Sequence, residues 1–154
     1  MRVYRIADRR HPLFDGTGAM LHGGRWNSPG HLVIYAAETY AGALLEVLAH
    51  ANTSHVPRRH ALIQISIPDE VLTESLDPSL LPGWNDQDQH ASRAFGDEWL
   101  RRRRTCVLLA PSVVTDGRER NVIVNPLHPD FSNIRASEPQ EVRWDRRLLR
   151  PTAR

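Results

Sequence analysis

The chain has 154 residues, 40% hydrophobic and 25% charged, which supports one core of ordinary domain size without a disulfide or metal staple. Cys106 is the only cysteine, excluding an intramolecular disulfide and any multi-cysteine zinc site. All 20 basic residues are arginine, against 18 acids, so Schiff-base and phosphate-loop lysine chemistry is excluded.

Charge is unevenly spread: residues 1–100 hold 8 Arg and 12 acids, residues 101–154 hold 12 Arg and 6 acids. A basic third of this kind attracts polyanions or forms a solvated basic surface. No run approaches the ~18 apolar residues of a membrane span, and the first residues lack a signal peptide's apolar stretch. A soluble cytoplasmic protein is the expectation.

Segments 2–6 and 32–37 read as short strands, the second a continuous apolar run, Leu32-Val33-Ile34-Tyr35-Ala36. From Thr39 to Ala51, the residues Ala41, Leu44, Leu45 and Leu48 fall at i, i+3, i+4 and i+7. That spacing predicts an amphipathic helix with Thr39 as its N-cap. Ala61, Ile63, Ile65 and Ile67 alternate, predicting a half-buried strand over 61–67. Residues 68–89, with Pro68, Pro78, Pro82 and Gly83, predict a long loop with one helical turn. A helix is expected from His90 to Arg101-Arg102-Arg103-Arg104, whose charge complements the helix dipole. Strands follow at 105–110 and 121–124, turns at Pro126 and Pro129, and a last strand over 141–144. Short strands interrupted by two helices predict an α+β fold with a mainly antiparallel sheet, as one compact domain over 1–154 with a flexible tail at 149–154.

The most unusual stretch runs from Asp15-Gly16-Thr17-Gly18-Ala19 to Gly23-Gly24-Arg25-Trp26-Asn27-Ser28-Pro29-Gly30. Glycines at this density let a ligand approach the backbone, and an arginine among them can present its fork to a phosphate. No G-x-G-x-x-G opens a helix after a strand and no G-K-[ST] occurs, so the Rossmann and P-loop readings are excluded. Glu46 falls about 140° from the centre of the leucine stripe at 100° per residue. That angle alone places it on a solvated face with His50 one turn later. The eight histidines are scattered with no H-E-x-x-H, so no metal is expected. Ser112 lacks a G-x-S-x-G elbow. Asp97 and Glu98 adjoin four arginines and read as surface ion-pair partners, and Cys106 reads as an inert buried thiol.

Taken together, these pieces resemble the RES-domain family, the toxin half of RES–Xre toxin–antitoxin pairs. The most specific match is Asp15-Gly16-x-Gly18-Ala19 with Gly23-Gly24-Arg25-Trp26-Asn27-x-x-Gly30. It continues through Val33-Ile34-Tyr35-Ala36 and Glu46-x-Leu48-x-His50. A second block is Ala110-Pro111-Ser112-Val113-Val114 with Asn121 and Asn125-Pro126-x-His128-Pro129.

The resemblance implies a fold related to ADP-ribosyltransferases, with antiparallel sheets around an NAD+ cleft. It implies an enzyme that depletes NAD+ as a glycohydrolase or phosphorylase, with protein ADP-ribosylation or a catalytically silent scaffold as alternatives. The family's functional residues fall on Glu46, Arg25, Tyr35 and Ser112. Gly23, Gly24, Asn27, Asn121 and Asn125 join Arg25 and Tyr35 as expected NAD+-binding positions, the last two either binding ligand or shaping a turn. On this reading Glu46 stabilises an oxocarbenium-like ribosyl transition state, Arg25 holds the diphosphate, Tyr35 packs on nicotinamide or its ribose and Ser112 orients substrate. No cofactor beyond NAD+ as substrate is implied. The partner implied is an Xre-like helix-turn-helix antitoxin, with a homodimer as another assembly. A rival nucleic-acid-binding reading needs basic residues interleaved with aromatics, and residues 101–154 contain only Phe131 and Trp144. Direct nucleic-acid or membrane binding is therefore not expected.

Overall fold

The computed structural model describes residues 1–51 and 57–149. Strands β1 (Arg2–Asp8), β2 (Ile34–Ala37), β3 (His60–Ser66), β4 (Thr73–Ser75), β5 (Val107–Pro111), β6 (Arg120–Val124), β7 (Arg135–Ala136) and β8 (Gln140–Glu141) form one sheet. Helices α1 (Thr17–His22), α2 (Tyr40–His50) and α3 (His90–Arg102) pack on it. The sheet order is β4-β5-β6-β2-β1-β3-β7, with β8 also pairing β3, and among the described strands only β4 and β5 run parallel. The fold is thus mixed α and β on a mostly antiparallel sheet, as the strand pattern predicts.

Period-two alternation divides the core between the two faces of the sheet. Val107 and Leu109 of β5, Val122 and Val124 of β6, and Ile63 and Ile65 of β3 build one cluster. Leu108, Ala110 and Ile123 face the other way, where Trp26, Trp99 and Leu100 cover them. Helix α3 reaches that face because Gly96 has no side chain: a Cβ there would sit 1.8 Å from the Trp26 carbonyl oxygen. Gly96→Ala is therefore expected to destabilise the fold by about 3 kcal/mol or more through overpacking, read as a fall in the denaturant midpoint.

Three elements depart from the sequence pattern. Helix α1 lies inside the glycine-rich stretch, where low propensity suggests only loop, and Gly23 ends it at φ +71° with its N–H on the Ala19 carbonyl. Strand β4 lies within the proline-punctuated segment, held by register with β5 from Thr73–Val107 to Ser75–Leu109. The strand expected over 141–144 pairs only at Gln140–Glu141, where Leu62 and Ala61 of β3 receive it. Of the tail expected at 149–154, residues 150–154 lie outside the described residues.

The leucine stripe of α2 is also corrected. Ala41 and Leu45 are exposed, whereas Gly42 and Ala43 are buried and Leu44 and Val47 pack against Ile6, Ala37 and Leu62. Small residues set the helix orientation here. The N-terminus is pinned by Thr39, whose hydroxyl accepts from the Gly42 N–H and donates to Glu119 Oε2, both at 2.8 Å. A Cβ on Gly42 would meet that Glu119 oxygen at 2.8 Å, so the helix seats by backbone contact rather than by its largest side chains. The resulting rotation carries Glu46 inward.

Candidate active site

Strands β1 and β2 pair at a single position, Tyr4 with Ala37, and diverge beyond it. Arg5 fills the gap: its Nη1 donates to the Tyr35 carbonyl at 2.8 Å and its Nε to the Leu13 carbonyl at 2.7 Å. A side chain thereby replaces the missing strand ladder, and a cavity of about 720 Å³ opens beside it. Arg5, Arg25, Tyr35, Glu46, Arg93 and Asn121 all line that cavity, as do Gly23 and Gly24. Its size falls in the ordinary range of ligand sites.

The acidic part of the wall is Glu46 and Asn121, supported by Ser112, which does not itself line the cavity. Glu46 comes from α2, Asn121 from β6, and Ser112 follows β5. Ser112 Oγ donates to Glu46 Oε1 at 2.9 Å and Asn121 Nδ2 donates to the same oxygen at 2.8 Å. Asn121 reaches it because register places it between Ala37 of β2 and Ala110 of β5. Two donors on one oxygen fix the carboxylate's rotamer, and Oε2 has no hydrogen-bond partner among the described residues. Ser112 is 3% exposed with its hydroxyl proton committed to Glu46, an arrangement that positions the carboxylate.

The opposite chemistry comes from the glycine loop and the start of α3. Arg25 Nη1 donates to the carbonyls of Trp84 at 3.1 Å and Asp86 at 2.9 Å, so main chain rather than a carboxylate orients the guanidinium. Arg93 Nε donates to the Gly24 carbonyl at 2.9 Å. Among the described residues, Arg5, Arg25 and Arg93 have no ion-pair partner, whereas Arg10, Arg101, Arg102 and Arg120 are all paired. Burial lowers the Arg5 pKa from its ordinary value, and nearby Asp15 partly offsets this.

Tyr35 ties the loop to the sheet. Its hydroxyl donates to Asn27 Oδ1 at 2.6 Å and accepts the Trp26 N–H at 3.1 Å. Asn27 is fully buried and its Nδ2 donates to the carbonyls of Ala19 (2.9 Å) and Ser28 (3.1 Å). These bonds commit the Asn27 amide to shaping the loop, so it holds Arg25 in place from behind instead of facing the cavity. Burial raises the Tyr35 phenol's pKa above its ordinary value, keeping the donor proton in place. Tyr35→Phe would strand the Trp26 N–H and the Asn27 oxygen, with an expected loss of about 2 kcal/mol in chemical denaturation.

Asn125 stands apart from the cavity. It is 2% exposed, and its Oδ1 accepts the Leu127 N–H at 3.0 Å, which makes it a turn residue after β6. The reading of Asp97 and Glu98 as one surface pair divides. Glu98 does pair with Arg101 and Arg102, but Asp97 turns inward to the Ser28 N–H at 2.8 Å and the Ser28 hydroxyl at 2.6 Å. Cys106 is fully buried, and burial pushes its thiol up to about 12. Among the described residues no group of three or more His, Cys, Asp or Glu could hold a metal, and no helix is long and apolar enough to cross a membrane. Sequence reasoning missed Arg5 and Arg93. Neither sits in a glycine-rich motif, and an arginine on a strand or a helix carries no local mark of the carbonyl that orients it.

The RES-domain family profile matches residues 2–145, which include every residue of this site. The chain belongs to the RES-domain family. It is 40% identical over 153 residues to the Prs ADP-ribosylating toxin of Sphingobium sp. (strain YBL2), covering 97% of this chain and 91% of the relative. It is 35% identical to Toxin Res of Yersinia enterocolitica, covering 96% and 99% of the two chains. In three dimensions it matches a chain of the crystal structure of the M. tuberculosis MbcT–MbcA toxin–antitoxin complex. The TM-score is 0.74 at 18% identity, covering 92% of this chain and 83% of the other, a likeness of fold.

Proposed function

We propose that this chain is the toxin of a toxin–antitoxin pair and that it consumes NAD+ by cleaving the nicotinamide–ribose bond. The observation that carries this reading is one cavity lined by a hydrogen-bonded carboxylate and by guanidinium groups with no acidic partner among the described residues. NAD+ has the matching polarity, a cationic pyridinium on ribose and an anionic diphosphate. As the glycosidic bond breaks, its electron pair goes to the pyridinium nitrogen and nicotinamide departs neutral. Positive charge then develops on the ribose, where Glu46 stabilises it and Oε2 is available to a ribose hydroxyl. Arg25 holds the diphosphate by charge-assisted hydrogen bonds, and Gly23 and Gly24 admit it to the backbone. The aromatic ring of Tyr35 walls the nicotinamide ribose.

The acceptor names the reaction. Water gives ADP-ribose and a proton, phosphate gives a phosphorylated ADP-ribose, and a protein side chain gives ADP-ribosylated protein. The third outcome is favoured by the 40% identity to a relative named as an ADP-ribosylating toxin. The likeness to a toxin solved in a toxin–antitoxin complex supports a cognate antitoxin as partner, and the sequence resemblance implies the Xre-like helix-turn-helix type, here proposed to cover this cavity. The deciding experiment incubates the purified protein with NAD+, with and without phosphate and with and without a bacterial lysate as a source of protein acceptors, and identifies the ribosyl product by mass spectrometry. Release of nicotinamide supports the reading. Intact NAD+ under all conditions overturns it and leaves a silent scaffold.

A further inference from the structure

We infer that Arg93 is a second anion-binding cation of the cavity, forming with Arg25 a two-guanidinium bracket for the diphosphate. This rests on the dinucleotide reading above. Arg93 and Arg25 converge on the same short loop from different elements: Arg93 of α3 grips the carbonyl of Gly24, and the next residue in the chain is Arg25. Arg25 in turn grips the carbonyls of Trp84 and Asp86, in the segment leading into α3. The two interactions are reciprocal, and both arginines line the cavity.

Their donor inventory points to a ligand. A guanidinium carries five N–H donors, and Arg93 spends one, from Nε, on Gly24. Neither terminal nitrogen has a partner among the described residues. The nearest acid one turn along α3, Asp97, is committed to Ser28 and lies 3.7 Å from His31. The charge of Arg93 is felt inside the site, where it favours the ionised form of the buried Tyr35 phenol. A solvated helix-surface arginine would not be anchored by Nε to a loop that walls a cavity. Anchoring at Nε leaves the outer edge of the fork presented as a unit, the geometry that suits a phosphoryl group. Arg25, anchored through Nη1 with its Nε and Nη2 unpartnered among the described residues, stands beside it, and two guanidinium groups meeting at one loop suit two linked phosphoryl groups better than a single carboxylate.

The test uses ADP as a probe that carries the diphosphate but no nicotinamide. Isothermal titration of ADP and steady-state kinetics with NAD+ are compared for the wild type, Arg93→Met and Arg93→Lys. The bracket predicts that Arg93→Met raises the ADP Kd about tenfold or more, with a matching rise in the NAD+ KM and a smaller fall in kcat. Arg93→Lys, a point charge that cannot hold both Gly24 and a phosphoryl group, should recover part of the affinity. If the methionine variant fails to fold, the lysine variant alone decides, with weakened ADP binding expected. Unchanged ADP affinity in both variants, or no ADP binding by the wild type, overturns the bracket. A wild type that leaves NAD+ intact while binding ADP through Arg93 defeats the cleavage reading and keeps the bracket. A wild type that consumes NAD+ with ADP affinity indifferent to residue 93 does the reverse.

Discussion

Glu46→Gln is expected to reduce nicotinamide release from NAD+ by on the order of 10³-fold, with the loss in kcat. Glutamine keeps the shape of the side chain and a carbonyl oxygen able to accept from Ser112 and Asn121, so the hydrogen bonds of 2.9 and 2.8 Å survive. On the proposed reading, what disappears is the negative charge beside the ribose, which matters most when the sugar becomes cationic. The fold does not depend on that charge, so melting temperatures of the two proteins should agree closely. Full turnover by the glutamine variant would show that the carboxylate has no electrostatic part in catalysis.

Arg25→Ala carries the second largest expected effect, a fall in kcat/KM on the order of 10²-fold that appears mainly in KM. Its guanidinium both faces the cavity and satisfies the carbonyls of Trp84 and Asp86, at 3.1 and 2.9 Å. Alanine removes the proposed diphosphate contact and releases the 84–86 segment from the glycine loop. A lysine variant separates the two roles, because one ammonium cannot reproduce a fork that binds main chain on one edge and ligand on the other. Lysine should therefore recover only a small part of the lost affinity. Initial-rate measurements over a range of NAD+ concentrations provide the check.

The main strands and two of the three helices were legible in the sequence because alternation and helical spacing report burial directly. The exceptions share a physical cause. Helix α1 and strand β4 are held by contacts from outside their own segments, such as the Gly30 N–H on the Met20 carbonyl and the register with β5. For α2, periodicity identified the helix but misjudged its face. Leucines mark burial only when large side chains set the contact, and here Gly42 and Ala43 set it. Glu46 was consequently legible through resemblance of motif, while its angle on the helix pointed the wrong way. Asn27 shows the converse: the motif marks it, and the structure turns its amide away to bind Ala19, Ser28 and Tyr35. Arg5 and Arg93 were illegible because their orientation comes from the carbonyls of Leu13, Tyr35 and Gly24, groups every sequence has.

The most direct test of the central claim is a crystal structure of the Glu46→Gln protein soaked with NAD+. Intact dinucleotide is expected in the cavity, with the nicotinamide ribose against residue 46 and the diphosphate against Arg25. Dinucleotide bound in the reverse sense, or at a surface that excludes both residues, would contradict it.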